Sequence, residues 1–293
     1  MQTTSVLIHS LCVPCHNHCR HCLLSWNGRV EGAGWDRSVA LAERFLDELR
    51  ARQPEIAGGF SFGYSMEHPD LKGAVRTLRR LGGPTADFLQ CDGMKMRDET
   101  ECAELMGMLR DEGIKRLNFT LYGLSDYHDR FAGRKGDFEL LMRMMRAAKA
   151  SRLPFSTGIP LTAENIRQVD DLAGVLRETG SEKVFLTVPH EEGRGKLLRG
   201  VRLGMRDFSE LSAETQTLLN RMFIRIQTRY TAMSLANLRD FAIVVVLFMI
   251  QPSPAFQKRN IVSDVCYYST YSLLNKEEFK KIAIRKHCIL KSL

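Results

Sequence analysis

The sequence predicts an α/β fold, a partial (β/α)6 TIM-like barrel followed by a C-terminal extension. The first observation is alternation. Short apolar β-like runs at Ser5–Ser10, Gly59–Gly63, Ala86–Gln90, Arg116–Leu121, Phe155–Leu161 and Lys183–Val188 alternate with helical patterns. Those patterns cover Arg37–Arg52, Asp70–Leu81, Asp98–Arg110, Asp137–Ala150, Ala163–Glu178 and Ser209–Met222. Strands alternating with helices of this length build βαβ units and a parallel sheet. The second observation is punctuation. Asp36, Asp137 and Thr162 stand where helices open, and Gly82-Gly83, Gly113 and Gly180 stand where they close. The third is length: 293 residues suit one barrel. Periodicity alone does not separate a barrel from an open doubly wound sheet. Six units favour the barrel.

Taken in order, the first strand leads into a cysteine-rich loop, which places that loop at the C-terminal end of the sheet, where barrels carry their sites. The first helix shows one apolar stripe through Val39, Ala40, Leu41, Ala42, Phe45, Leu46 and Leu49 at helical period. Near residue 222 the pattern changes. Arginine dominates up to residue 200, whereas lysine dominates from Lys258 onward, with Ile and Tyr more frequent. This divides the chain into a core, 1–222, and an extension, 223–293, with a turn at Gln251-Pro252-Ser253-Pro254.

Composition excludes several classes. An apolar fraction of 44% and a charged fraction of 26% are those of an ordinary globular protein. The longest apolar run, Phe241 to Ile250, is about half of a membrane helix. It reads as a buried strand or short core helix, and no membrane partner is expected. The net charge of +8 comes from basic residues scattered along helices (Arg76, Arg79, Arg80; Arg143, Arg146) without interleaved aromatics. That pattern argues against a nucleic-acid partner. Eight cysteines are too few for a disulfide scaffold. Clustered thiols without a recognisable secretory leader give the expectation of a reducing, cytoplasmic setting.

Cys15, Cys19 and Cys22 lie in the run Cys15-His16-Asn17-His18-Cys19-Arg20-His21-Cys22, a C-x3-C-x2-C spacing. Three thiolates this close can hold three irons of a cubane cluster and leave the fourth open for chemistry, whereas four-Cys ligation is the closed arrangement. With Cys12 included, the thiols could instead hold zinc, and His16, His18 and His21 are further candidate ligands. Zinc sites usually join two close pairs across a longer gap, and no such gap is present here. The alternative to an enzyme is thus a non-catalytic Cys/His module, holding zinc or iron–sulfur, on an α/β domain.

The cysteine spacing resembles the cluster loop of the radical S-adenosylmethionine (SAM) superfamily. In that family the methionyl amino and carboxylate groups of SAM chelate the fourth iron of a [4Fe-4S] cluster. The resemblance extends over residues 5–195. His21 stands where the family usually has an aromatic residue beside the adenine. Phe62-Gly63-Tyr64-Ser65-Met66-Glu67-His68-Pro69-Asp70-Leu71 resembles the family's Gly-Gly-Glu-Pro and His-Pro-Asp-Leu runs, with Phe62 replacing a glycine and Tyr64 the glutamate. The resemblance therefore implies that Gly63, Tyr64 and Ser65 approach the SAM ammonium, with Glu67 as another candidate.

Cys91-Asp92-Gly93 stands at a Thr-Asn-Gly position, and Cys91, at a strand end, could face substrate. Thr120-Leu121-Tyr122-Gly123 and Tyr127-His128-Asp129-Arg130 resemble segments of members that modify peptides or small metabolites. Thr120 would face SAM or substrate. Asn165 would either contact SAM or satisfy backbone donors at a helix start. Val188 would lie by the adenine, and Arg194, in Gly193-Arg194-Gly195, would bind a carboxylate or sit on the surface.

What the resemblance implies is an enzyme that reductively cleaves SAM and generates a 5′-deoxyadenosyl radical for hydrogen abstraction. Its partners would be an electron donor such as flavodoxin or ferredoxin and a small-molecule or peptide substrate. The substrate and the catalytic residues are not legible.

Overall fold

The computed structural model describes residues 5–10, 15–22, 35–55, 57–62, 65–187, 189, 193–203, 207, 213 and 248–249. In chain order the elements are β1 (Ser5–Ser10), α1 (Trp35–Arg52), β2 (Ala57–Phe62), α2 (Leu71–Leu81), β3 (Phe88–Gln90), α3 (Glu99–Asp111) and β4 (Arg116–Thr120). There follow α4 (Ser125–Ala132), α5 (Asp137–Ala150), β5 (Phe155–Pro160), α6 (Val169–Thr179), β6 (Lys183–Thr187) and β7 (Phe248–Met249). Single 3-10 turns at Ser65–Glu67, Gly83–Thr85 and Ile166–Gln168, and a longer one at Gly193–Val201, join them.

The described strands are all parallel and form two sheets, β2-β1-β7 and β3-β4-β5-β6. Ser5 stands opposite Ala57 and Ser10 opposite Phe62, and Thr120 stands opposite Gly158. The two sheets approach each other at β2 and the turn before β3, where Thr85 Oγ1 donates to the Phe60 carbonyl. This is the expected α/β architecture with parallel strands and covering helices. β7 comes from the apolar run Phe241–Ile250 and lies beside β1. The rest of that run, the expected helix Ser209–Met222 apart from Ala213, and the remainder of the extension lie outside the described residues.

Burial follows the sequence pattern. α1 buries Ser38, Ala42, Leu46 and Leu49, a stripe at three- and four-residue spacing. Each such leucine stabilises the fold by about 1.5–3 kcal/mol relative to exposure. α1 lies so close to β2 that a Cβ on Gly58 would stand 2.6 Å from Leu46 Cδ2, which explains the glycine there. Phe60, Leu89, Leu117, Phe119 and Ile159, from β2 to β5, meet Leu78 of α2, Met106 and Leu109 of α3 and Met144 and Met145 of α5 in one core. A second, smaller cluster of Tyr122, Tyr127, Phe131, Ala132 and Leu198 sits at the C-terminal end of the strands.

α3 opens with a capping box between Asp98 and Glu101. α6 begins six residues after the expected Ala163, because Thr162 to Gln168 are drawn into a tight turn. α4 was not expected; it is short and lies within the segment after β4.

Candidate functional site

The cysteine loop is clamped by backbone hydrogen bonds from three directions. His16 N–H donates to the Gly93 carbonyl (2.9 Å), beyond β3. His18 N–H and Arg20 N–H donate to the carbonyls of Ala132 and Phe131 (2.8 Å each), at the end of α4. Arg194 N–H donates to the Cys22 carbonyl and Arg194 Nε to the Cys19 carbonyl, both at 2.9 Å. Arg194, expected on a carboxylate or at the surface, therefore caps the loop. Cys22 N–H to the Cys19 carbonyl (3.1 Å) closes the loop's own turn.

Cys15 is buried, while Cys19 and Cys22 are half-buried, and none of the three is in a disulfide. Gly93 adopts a left-handed φ of 62°, and a Cβ there would stand 2.2 Å from Cys15 Sγ. The thiol thus lies in the space that a side chain would fill. Burial, with the nearby Asp92 and Cys22 charges adding to it, pushes the Cys15 thiol up to about 12. Burial likewise lifts Cys19 to about 12, with Cys15, Asp92 and Asp137 adding and Tyr122 partly offsetting. Thiols so placed keep their protons until a cation takes them.

Beneath the loop lies a buried polar network. Asn17 Nδ2 donates to Asp137 Oδ2 (2.9 Å) at the start of α5. His128 Nδ1 accepts from the Tyr122 N–H (3.1 Å), which leaves Nε2 as the protonated nitrogen donating to Asp137 Oδ2 (3.1 Å). Arg134 reaches both Asp137 Oδ1 and the Met94 carbonyl. Burial alone would raise the Asp137 pKa, but His128 and Arg134 outweigh it and hold the carboxyl below its ordinary value. Asp137, expected as a helix cap, is instead the hub of this network, and left-handed Gly136 precedes the helix.

Asp92 accepts from Thr120 N–H and Thr120 Oγ1 (3.0 Å each) and from Gln90. Burial raises its carboxyl above the usual range. Asn17, Cys91, Asp92, Gly93, Thr120, Tyr122, His128 and Asp137 surround a cavity with room for about one water molecule. The Asn17 Oδ1 atom is buried and accepts no hydrogen bond among the described residues.

The aromatic cluster flanks the loop. His21 meets Tyr122 edge-on at 5.2 Å and Phe131 at 5.4 Å. Tyr122 stacks on Phe131 at 4.9 Å. Tyr122 Oη stands 3.1 Å from Cys19 Sγ. Burial carries the phenol well above its ordinary pKa, with Cys19 and Asp92 adding.

Cys15, Cys19, Cys22, His21 and Thr120 thus gather at one end of the strands. Asn165 is fully buried, and its side chain bonds the backbone around it. Its Nδ2 donates to the carbonyls of Tyr122 (2.7 Å) and Pro160 (2.8 Å), while its Oδ1 accepts from Thr162 N–H (2.7 Å). This amide ties the ends of β4 and β5 together. Ser65 opens the turn after β2. Glu67 accepts from Arg97 Nη1 (2.7 Å) and Lys95 N–H (2.8 Å) in a buried ion pair. Cys91 is buried at the end of β3. Gly63, Tyr64, Val188 and Cys12 lie outside the described residues. Sequence reasoning missed the roles of Asn17, which lies inside the cysteine motif, and of the His128–Asp137 pair, whose members lie nine residues apart on two helices.

Three neighbouring thiols are a soft donor set suited to iron–sulfur or zinc. Among the described residues no group of three or more His, Cys, Asp or Glu side chains converges so as to hold a metal ion. Among the same residues no helix is long and apolar enough to cross a membrane.

The fold is similar to that of solved structures. A crystal structure of Streptococcus suis SuiB bound to precursor peptide SuiA is 12% identical, with a TM-score of 0.59 over 96% of this chain and 67% of that one. Native anSMEcpe with bound AdoMet is 16% identical, with a TM-score of 0.51 over 78% of this chain and 62% of that one. A second anSMEcpe structure, with bound AdoMet and Cp18Cys peptide, is 15% identical, with a TM-score of 0.50 over the same shares. This chain therefore spans less than two thirds of anSMEcpe. No curated protein matches it. The model of the Radical SAM superfamily matches residues 11–176, more than half of the chain. With the cysteine loop, the parallel strands and the polar clamp beneath them, that match establishes that the chain belongs to the radical SAM superfamily.

Proposed function

We propose that the chain is a radical SAM enzyme whose Cys15, Cys19 and Cys22 hold a [4Fe-4S] cluster. The observation that carries this reading is the clamped three-thiol loop at the C-terminal end of the strands. The chemistry such a cluster supplies with SAM is one-electron reductive cleavage of the sulfonium, for hydrogen-atom abstraction from a substrate.

The chain's own residues do the holding. Gly93 makes room for the Cys15 sulfur, and Arg194 fixes the Cys19 and Cys22 carbonyls. His21, backed by Tyr122 and Phe131, offers a ring face to an adenine. Thr120, aligned by Asp92, presents a hydroxyl to SAM or substrate. Gly63, Tyr64 and Ser65 would take the methionyl end, and Val188 the adenine side. Asn165 acts by positioning the Tyr122 and Pro160 backbone.

The solved structures with similar folds include SuiB with precursor peptide SuiA and anSMEcpe with Cp18Cys peptide. A peptide substrate is accordingly proposed alongside a small molecule, with flavodoxin or ferredoxin as electron donor in a cytoplasmic setting. Residues 1–222 would form the catalytic core and 223–293 an extension. The test is anaerobic reconstitution with iron and sulfide, reduction, and assay for 5′-deoxyadenosine. Its formation is expected, with loss in Cys19→Ala. A reconstituted cluster that never yields it would refute the enzymatic reading and leave the metal-binding module.

A further inference from the structure

We propose that Tyr122 tunes the proposed cluster, its hydroxyl donating a hydrogen bond to the Cys19 sulfur and making the cluster easier to reduce. This rests on the cluster reading above and adds to it a determinant of reduction potential outside the three ligands.

The contact is well defined. Tyr122 Oη lies 3.1 Å from Cys19 Sγ, joining residues 103 positions apart. Either atom of the pair could donate in the unligated protein. A cysteine that ligates iron has lost its proton, so the phenol is then the only donor of the two. Hydrogen bonds to cluster sulfurs are one of the levers that set iron–sulfur potentials.

The hydroxyl is also aimed. The Tyr122 ring stacks on Phe131 at 4.9 Å and meets His128 at 5.0 Å. Its backbone is pinned at both ends, the N–H on His128 Nδ1 and the carbonyl under Asn165 Nδ2. His128 is in turn fixed by Asp137. A buried network that holds one side chain from four sides leaves little rotational freedom to its tip. Asn165 and His128 are therefore positioning residues for this hydroxyl.

The sign follows from charge. Reduction adds negative charge to the cluster and its sulfurs, so a donated hydrogen bond is stronger in the reduced state. It shifts the potential upward, and its removal shifts the potential downward.

Tyr127 provides the control. Its ring belongs to the same aromatic cluster, 5.8 Å from Phe131. Its hydroxyl bonds to Thr162 Oγ1 (2.9 Å) and Glu164 Oε2 (3.1 Å) and to no thiol among the described residues. General loosening of the cluster would affect both tyrosines, whereas tuning is specific to Tyr122.

The experiment is a spectroscopic redox titration of the reconstituted full chain, without SAM, for wild type, Tyr122→Phe and Tyr127→Phe. Equal iron content is expected in all three, with a more negative midpoint in Tyr122→Phe alone. A Tyr122→Phe midpoint equal to wild type would overturn the assignment while leaving the cluster reading intact. A wild-type protein that takes up no iron–sulfur cluster would overturn both. Should Tyr122→Phe fail to hold iron, the reduced wild-type cluster carries the test by electron–nuclear double resonance in H2O and D2O. An exchangeable proton coupled to the cluster supports the hydrogen bond, and its absence overturns it.

Discussion

Asn17 Nδ2 donates to Asp137 Oδ2 across 2.9 Å, tying the cysteine loop to the first turn of α5, 120 residues away in sequence. The same carboxylate receives His128 and Arg134. Removing it strands a half-buried guanidinium and the Asn17 and His128 donors. Breaking a buried ion pair from one side costs about 3–5 kcal/mol. Asp137→Ala is expected to lower the thermal midpoint clearly and to release iron faster to a chelator. Calorimetry and a chelation time course measure the two effects.

The same carboxylate sets a pH dependence. Its pKa is depressed by folding, so its contribution is fully present above the unfolded value, about 4. That contribution is lost as pH falls through the lower folded value. Wild type is expected to lose more stability than Asp137→Ala on acidification below about pH 4. Parallel denaturation curves at both ends of that range would refute this.

Gly93→Ala is expected to disturb the loop directly. An L-residue in the left-handed region costs about 1–2 kcal/mol, and the new methyl collides with Cys15 Sγ. Reconstituted iron is expected to fall sharply while far-ultraviolet circular dichroism stays near wild type. Full iron uptake would mean that Cys15 does not use the space over Gly93.

Glu67 and Arg97 form a buried pair held further by Lys95 N–H and the Met66 carbonyl. Glu67→Ala is expected to destabilise by about 3–5 kcal/mol, seen as a lower urea midpoint. SAM affinity of the folded, reconstituted variant is expected to match wild type. A selective loss of SAM affinity with unchanged stability would make Glu67 a ligand contact after all.

Local pattern made the strands legible. Ser5–Ser10 agrees at both ends, and the other five agree within a few residues. The stripe on α1 was legible because burial at helical period is written in the residue types. α4 was not, since eight residues carry too few turns to show a period. The late start of α6 depends on Asn165 reaching back to Pro160 and across to Tyr122. The thiols were legible because their spacing is short. Their supports were not: Tyr122 on Cys19 and Arg194 on the Cys19 carbonyl join residues 103 and 175 positions apart. No local pattern encodes such pairs. The contacts of Asp137 were hidden for a further reason, because an acidic residue before a helix reads as a cap.

The central claim is that Cys15, Cys19 and Cys22 hold an open iron–sulfur cluster. Metal and acid-labile sulfide analysis of the anaerobically reconstituted chain tests it most directly, with Cys12→Ala and Cys19→Ala alongside. The expected result is about four irons and four sulfides per chain, retained in Cys12→Ala and lost in Cys19→Ala. A single zinc in place of iron, or a cluster lost equally on removal of Cys12, would contradict it.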